Sequence, residues 1–252
     1  MQKVYEHLNT LDKRCYEEFF LNEDILMEHA SLGLLADVYK YINDNNIKNP
    51  KILIVCGKGN NGADGIACGR ILHKDAEVDL FIPFGIKSKM GELQLKRAKS
   101  IGLLPIDSID KKYDIVVDAL YGSGFNGNLD EESIKLITKL NTLESYKIAC
   151  DIPSGIDIDG RISTVAFKAD TTISMGALKK SLFLDEAKDY VGEIKVANLG
   201  IAKDVYEIDT NMFLLDFEDL RLPHRISKNS HKGDFGHVII AGGEKSGASV
   251  IS

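Results

Sequence analysis

Residues 51–65 read KILIVCGKGNNGADG: an apolar run that empties directly into a glycine-rich segment carrying two tandem asparagines and an aspartate. A short apolar run bounded by turn residues suits a buried strand, and GADGIACGRILHK (62–74), which follows, has helical spacing. Strand, glycine turn and helix in succession open an α/β unit. The pattern then repeats along the chain. EVDLFIP (77–83) predicts a strand, residues 88–101 a helix, DIVVDAL (114–120) a strand, EESIKLITKLNTL (131–143) a helix and YKIACDI (146–152) a strand. Apolar strands alternating with helices specify a parallel sheet covered on both faces. Upstream, the first 45 residues read helical, with Asn22 as a cap and Ile25, His29, Leu32, Leu35, Ala36, Tyr39 and Ile42 close to one face of a helix over 24–42. Downstream, 170–178, 192–200 and 211–216 look like strands with little helix between them.

Composition narrows the classes. In 252 residues, 31 Lys and Arg face 38 Asp and Glu, a net charge of −7, and no segment gathers its cations into a nucleic-acid-binding stripe. The most basic stretch, KSKMGELQLKRAK (87–99), suits a solvated helix face. No run approaches 18 apolar residues and the first residues hold no apolar signal core, so no membrane partner is expected. The four cysteines, Cys15, Cys56, Cys68 and Cys150, form no C-x-x-C pair, which fits a reduced, cytoplasmic setting.

In open parallel sheets a ligand sits beyond the carboxyl ends of the strands. Three strands here lead into CGKGNNGADG, DALYGSGFNGN and DIPSGIDIDG, all glycine-rich and polar, and these should converge on one crevice. GKGNNG (57–62) has the G-x-G-x-x-G spacing of a dinucleotide loop, yet the second strand ends FIPFG, without the acid that holds ribose hydroxyls. No Gly-Lys-Ser/Thr follows, so a Walker-type loop also fails. What remains is a tight turn aimed at a helix N-terminus, an anion site supplemented by the carboxamides of Asn60 and Asn61. Asp64 falls in the first helical turn, where it either caps the helix or takes sugar hydroxyls. Asp118 and Asp151 end two neighbouring strands. Each is a turn aspartate or a site carboxylate, and side by side they repel unless a cation intervenes. Oxygen donors from Asn61, Asp118 and Ser154 suit a hard cation and not zinc.

GNNGADG, VVDALYGSGF and DIPSGIDIDG, in this order and spacing, resemble the NAD(P)H-hydrate epimerase family. ADTTISMGALKK and YVGEIKVANLGI resemble its closing strands and LMEHASLG its N-terminal helix, so the likeness covers roughly residues 10–215. It implies an α/β, Rossmann-like three-layer αβα sandwich with a mostly parallel sheet, usually a homodimer or a higher homo-oligomer. It also implies interconversion of the two C6 epimers of hydrated NADH and NADPH, and one bound potassium ion per subunit. Carried over, Asn60, Asn61, Gly62, Ala63 and Asp64 line the substrate. Gly122, Ser123, Gly124, Phe125, Asn126, Gly127 and Asn128 wrap it. Asp151 contacts it and is the candidate acid/base, and Asn61, Asp118 and Ser154 hold the potassium. Ala63 departs from the family's usual GNNGGDG, and His29-Ala30-Ser31 stands where an acidic or polar residue followed by Ala-Gly is more usual; a lone histidine there reads as a core or interface residue. Lys179-Lys180 either meets a substrate phosphate or lies on the surface. The alternative to an enzyme is a non-catalytic nucleotide-binding or protein-docking module, which would be expected to lose a loop acid or Ser154.

NSHKGDFGHVIIAGG (229–243) resembles the start of the ADP- or ATP-dependent NAD(P)H-hydrate dehydratases, a ribokinase-like family often fused to the epimerase. The expected organisation is an epimerase domain over 1–216, a linker over 217–232 and the beginning of a dehydratase domain over 233–252. ADP or ATP belongs only to that second domain.

Overall fold

The computed structural model describes residues 1–162, 164–220 and 229. Gln2–Leu214 make one compact unit; of the described residues, Met1 and those from Leu215 on fall in a second. In the second unit Phe217–Asp219 form a single 3-10 turn, with Asp216 and Asp219 exchanging capping bonds. The strand expected within 233–252, and most of the linker, lie outside the described residues.

In chain order the larger unit contains β1 (Gln2–Tyr5), α1 (Asn9–Glu17), α2 (Glu23–Asp44), β2 (Lys51–Cys56), α3 (Asn60–Leu72), β3 (Glu77–Phe81) and α4 (Lys89–Ser100). β4 (Pro105–Ile106), β5 (Ile115–Ala119), α5 (Glu131–Asn141), β6 (Tyr146–Cys150), β7 (Thr171–Met175) and β8 (Leu178–Lys179) follow. The unit closes with α6 (Lys188–Val191), β9 (Glu193–Ala197), α7 (Lys203–Tyr206) and β10 (Phe213–Leu214). Seven strands form a parallel sheet in the order β4-β3-β2-β5-β6-β7-β9. The chain starts at β2, builds outward through β3 and β4, then crosses back to β5 on the other side of β2. The carboxyl ends of β2 and β5 therefore border the topological switch point.

Both sheet faces are covered, and the strands show it residue by residue. Ile52, Ile54 and Cys56 join Ile66 and Leu72 of α3 and Leu34 and Val38 of α2, whereas Leu53 and Val55 join Ile137 and Leu140 of α5. A period of two placing apolar groups on both sides is the αβα sandwich expected from the sequence. Two helices start on side-chain caps: Ser88 Oγ accepts from Gly91 N, and Asp130 from Ser133 N. Asn22 stands at the N-cap of α2, but its side chain makes no capping bond.

Three local expectations need correction. The N-terminal region is not all helix, because β1 pairs in parallel with β8 and antiparallel with β10 in a small second sheet. The buried face of α2 is set by Leu26, Ala30, Leu34 and Val38, while Ile25, Leu32 and Ala36 point outward. This helix carries apolar residues nearly all round, so periodicity alone did not fix which side faces the sheet. The strand expected over 170–178 is two strands, broken at Gly176, whose φ of +77° an L side chain rarely adopts.

Gly33 marks where α2 presses on β9. A Cβ added there would lie 2.3 Å from Ala197 Cβ. Gly33→Val should overpack this contact, costing about 1–3 kcal/mol and lowering the melting temperature by several degrees in a thermal denaturation monitored by circular dichroism.

Candidate active site

The three glycine-rich loops meet at the switch point. Gly57, just after β2, donates its N–H to Ala119 O at 2.9 Å, and a Cβ at Gly57 would stand 1.8 Å from Leu120 O. Only glycine lets these two backbones touch. Gly62, in the first turn of α3, presses equally hard on Gly57 O, with 2.1 Å to an added Cβ. The chain reversal brings the amide-rich start of α3 beside the loop after β5.

Around this junction opens a cavity of about 630 Å³, lined among others by Asn60, Asn61, Asp64, Gly122, Ser123, Gly124, Phe125, Asn126 and Asp151. The sequence-derived set is thus largely brought together. Gly62 and Ala63 lie buried behind the wall, where their small size serves packing. Gly127 and Asn128 are exposed and do not line the cavity. Asp118 and Ser154 are wholly buried beneath it. Ser154 N donates to Asp118 Oδ2 at 2.8 Å, Ser154 Oγ to Oδ1 at 2.6 Å and Leu120 N to Oδ1 at 3.2 Å; Tyr121 N donates to Ser154 Oγ at 2.9 Å. Burial pushes the Asp118 carboxyl up to about 6, against the pull of those donors. Asn61 is different in kind. Its Oδ1 and Nδ2 are both buried without a partner among the described residues, although an unmade buried hydrogen bond is costly. Asn60 Nδ2 is engaged, donating to Glu23 Oε1 at 2.6 Å.

Asp151 follows β6 with φ of +70°, an uncommon conformation for a residue with a Cβ. The turn aims its carboxylate at three donors. Ser123 N lies 2.8 Å from Oδ2, and Met175 N and Lys179 Nζ lie 3.2 and 2.5 Å from Oδ1. Burial acts to raise the Asp151 carboxyl, but the Lys179 ammonium and these hydrogen bonds hold it below the usual range. Lys179 is itself buried and spends its other two protons on Ser174 Oγ at 3.0 Å and Met175 O at 3.1 Å. The cation needed beside Asp151 is therefore a side chain of this chain. Of the two readings of Lys179 from sequence the surface one fails, because the side chain is buried; it lies on the cavity wall with its three protons on acceptors of the chain. Lys180 does lie at the surface, paired with Glu6 at 2.6 Å.

The N-terminal segment completes the cavity and was not foreseen. Glu6, His7 and Asp12 all line it. Asp12 is raised by burial and accepts a hydrogen bond from Tyr206 Oη at 3.3 Å. Lys58 lines it too, its ammonium 5.1 Å from the centre of the Phe84 ring. A lysine closing the apolar run TTISMGAL was a usable signal for Lys179, since a buried cation demands an anion. Asp12 left no such trace, because only tertiary packing of α1 brings it here.

Comparison with known proteins follows the same lines. The family described as YjeF-related protein N-terminus matches residues 23–181. The chain belongs to this family. Among its relatives, the bifunctional NAD(P)H-hydrate repair enzyme Nnr of Helicobacter pylori is 46% identical over 259 residues, covering 100% of this chain and 54% of that one. The NAD(P)H-hydrate epimerase of Elusimicrobium minutum is 37% identical over 215 residues, covering 79% of this chain and 96% of that one. The chain spans about half the length of the bifunctional relatives. The crystal structure of the yeast protein Ynu0 superposes with a TM-score of 0.68 at 18% identity, over 88% of this chain and 100% of that chain, and shares the fold. Among the described residues no helix is long and apolar enough to cross a membrane.

The ion pair yields a pH-dependent prediction. Lys179→Met keeps the volume but strands a buried carboxylate, and should destabilise the protein by about 3–5 kcal/mol at pH 7. Because Lys179 depresses Asp151 in the folded state, its contribution is present above the unfolded carboxyl value near 4 and is lost as pH falls through the folded value. Urea denaturation of both proteins between pH 3 and 8 should show the difference shrinking on the acid side.

Proposed function

We propose that this chain interconverts the R and S epimers at C6 of hydrated NADH and NADPH, as part of nicotinamide cofactor repair. The names of its family relatives support the reading, and one observation carries it at the site. A 6% exposed carboxylate, Asp151, is held ionised at a positive φ on the wall of a cavity that the glycine loops and Asn61 share. Epimerisation requires the C6 hydroxyl to leave with the help of the ring-nitrogen lone pair, and water to return on the other face. The intermediate is an iminium-like cation. An anion nearby stabilises it, and a base takes the proton of the incoming water. Asp151 suits both tasks. The glycine amides and the α3 N-terminus suit the pyrophosphate, and the Gly122–Asn126 loop suits the rest of the nucleotide.

Potassium fits the residues present. No three His, Cys, Asp or Glu side chains among the described residues gather as a metal site, so a cation here must rely on amide, hydroxyl and carbonyl oxygens with a single carboxylate. Asn61, Asp118 and Ser154 provide that low-charge, all-oxygen set, and the orphaned Asn61 carboxamide is the donor still lacking a partner. When bound, the ion would supply positive charge at Asn61, Asp118 and Ser154 and so hold together the loops that carry them. We further propose that the enzyme works in the cytoplasm as a homodimer, with the outward Ile25 and Leu32 of α2 available for self-association. The epimerase domain is taken to end near residue 216. The dehydratase step, with its ADP or ATP, is left to the part of the bifunctional relatives that this chain does not span.

In Asp151→Asn the new side chain tolerates the same backbone conformation but leaves the buried Lys179 ammonium without its anion, costing about 3–5 kcal/mol of stability. The folded variant should show kcat lowered by about 100-fold or more. Chromatography of a single NADHX epimer incubated with the purified protein measures this; near-normal turnover would remove Asp151 from the mechanism. For the cation, melting temperature should rise with potassium concentration in the wild type and not in Asp118→Ala, since a ligand binding only the folded state stabilises it by mass action.

A further inference from the structure

An ionised Asp151 leaves half of the chemistry unassigned. A carboxylate that already accepts from Lys179, Ser123 and Met175 has no proton to give, yet the departing C6 hydroxyl must receive one. The donor must be an acid on the same cavity.

Asp64 has the required position. It lies in the first turns of α3 and lines the cavity, on a different element from Asp151. Its hydrogen-bond inventory is the opposite of Asp151's: among the described residues no donor reaches its carboxyl. Asp64 is half-buried in the cavity wall, where a carboxylate without protein donors is disfavoured and a carboxylic acid has a proton free for a ligand. The groups around it agree. Glu23 at the start of α2 and Asp151 both oppose a charge on Asp64, Lys179 alone favours it, and Tyr16 of α1, Cys68 of α3 and Cys150 of β6 face it as neutral groups. Burial first, then the two neighbouring carboxylates, push Asp64 well above the ordinary range.

We propose that Asp64 is the proton donor of the epimerisation and Asp151 its complementary base, the two acting from different walls of one cavity. This deepens the reading above and rests on it. In one direction Asp64 gives its proton to the C6 hydroxyl, the C6–O bond breaks as the nitrogen lone pair forms the C=N bond, and water and the Asp64 carboxylate result. Water then attacks C6 on the opposite face and its extra proton passes to Asp151. One water is released and one consumed, and one proton has moved from Asp64 to Asp151. It returns through solvent before the next turnover. Starting from the other epimer, the same steps run backward from the state in which the first direction ends, with the proton on Asp151 and Asp64 ionised. That state is reached from the resting one by proton exchange with solvent. Separated proton affinities of two carboxyl groups in one site are what such a division needs.

The test uses Asp64→Asn, an isostere of the neutral acid, with Asp64→Glu as the conservative variant, on purified protein and a single NADHX epimer from pH 5 to 9. Asp64→Asn should lower kcat by about 100- to 10,000-fold with KM within a few-fold. It should also erase the alkaline fall in kcat, and Asp64→Glu should recover part of the rate. Retention of more than a third of kcat, or an intact alkaline limb, would overturn the proposal. A readout free of activity stands beside it. An acid whose folded value is raised loses the protein stability as pH climbs from about 4 toward that value. The melting temperature of Asp64→Asn should therefore gain on the wild type as pH rises; a constant difference would mean Asp64 is ionised and defeat the inference. If the wild type fails to epimerise while this gain is seen, the fault lies in the reaction assigned and not in the protonation of Asp64, and the donor role falls with that reaction.

Discussion

Crowded carboxylates set the terms for this molecule. Asp118 and Asp151, both buried, and Asp12 and Asp64, both half-buried, are drawn to the carboxyl end of one parallel sheet, where ionising every one of them is costly. The structure answers each differently. Asp151 receives the Lys179 ammonium, Asp118 receives the amide and hydroxyl of Ser154, Asp12 receives the Tyr206 hydroxyl, and Asp64 receives no donor among the described residues. Each answer ties a loop down. The Asp118–Ser154 bonds fasten the segment after β6 to β5, and the Asp151 contacts fasten the turn after β6 to the loop after β5 and to the β7–β8 region. The walls of the cavity are thus held in place by the groups that give it its chemistry.

The fold was largely legible because a parallel sheet buried on both faces forces its strands to be continuously apolar. Runs such as KILIV and IVV can hardly be anything else once helices alternate with them. What escaped was whatever depends on long-range pairing. β1 has four residues and no distinctive pattern, and it is a strand only because β8 and β10 lie to either side. The outward turn of Ile25 and Leu32 on α2 was equally invisible, since apolar residues occupy several faces of that helix.

At the site, loop chemistry carried the information. Glycines at 57 and 62, the tandem asparagines and the strand-end aspartates each mark a backbone or charge requirement that few residue types meet. The like-charge conflict of Asp118 and Asp151 was visible in the sequence, but its resolution was not. Lys179 lies 28 residues beyond Asp151, and nothing short of the sheet order brings them within 2.5 Å. For the same reason the N-terminal lining could not be read from residues 6–12.

The small sheet has a consequence for how the protein is born. β1 sets Tyr5 opposite Lys179 and Gln2 opposite Leu214, pairings that join the two ends of the folded unit. Contacts of such sequence separation close late, because the loop entropy of nearly the whole unit stands against them. During synthesis from the N-terminus, β2 to β6 can assemble first, while β1 must wait for partners that leave the ribosome last. Glu6, His7 and Asp12 take their places with it. The cavity is thus the final part of the chain to close, and a nascent or prematurely terminated polypeptide holds a formed glycine loop without a finished cavity around it.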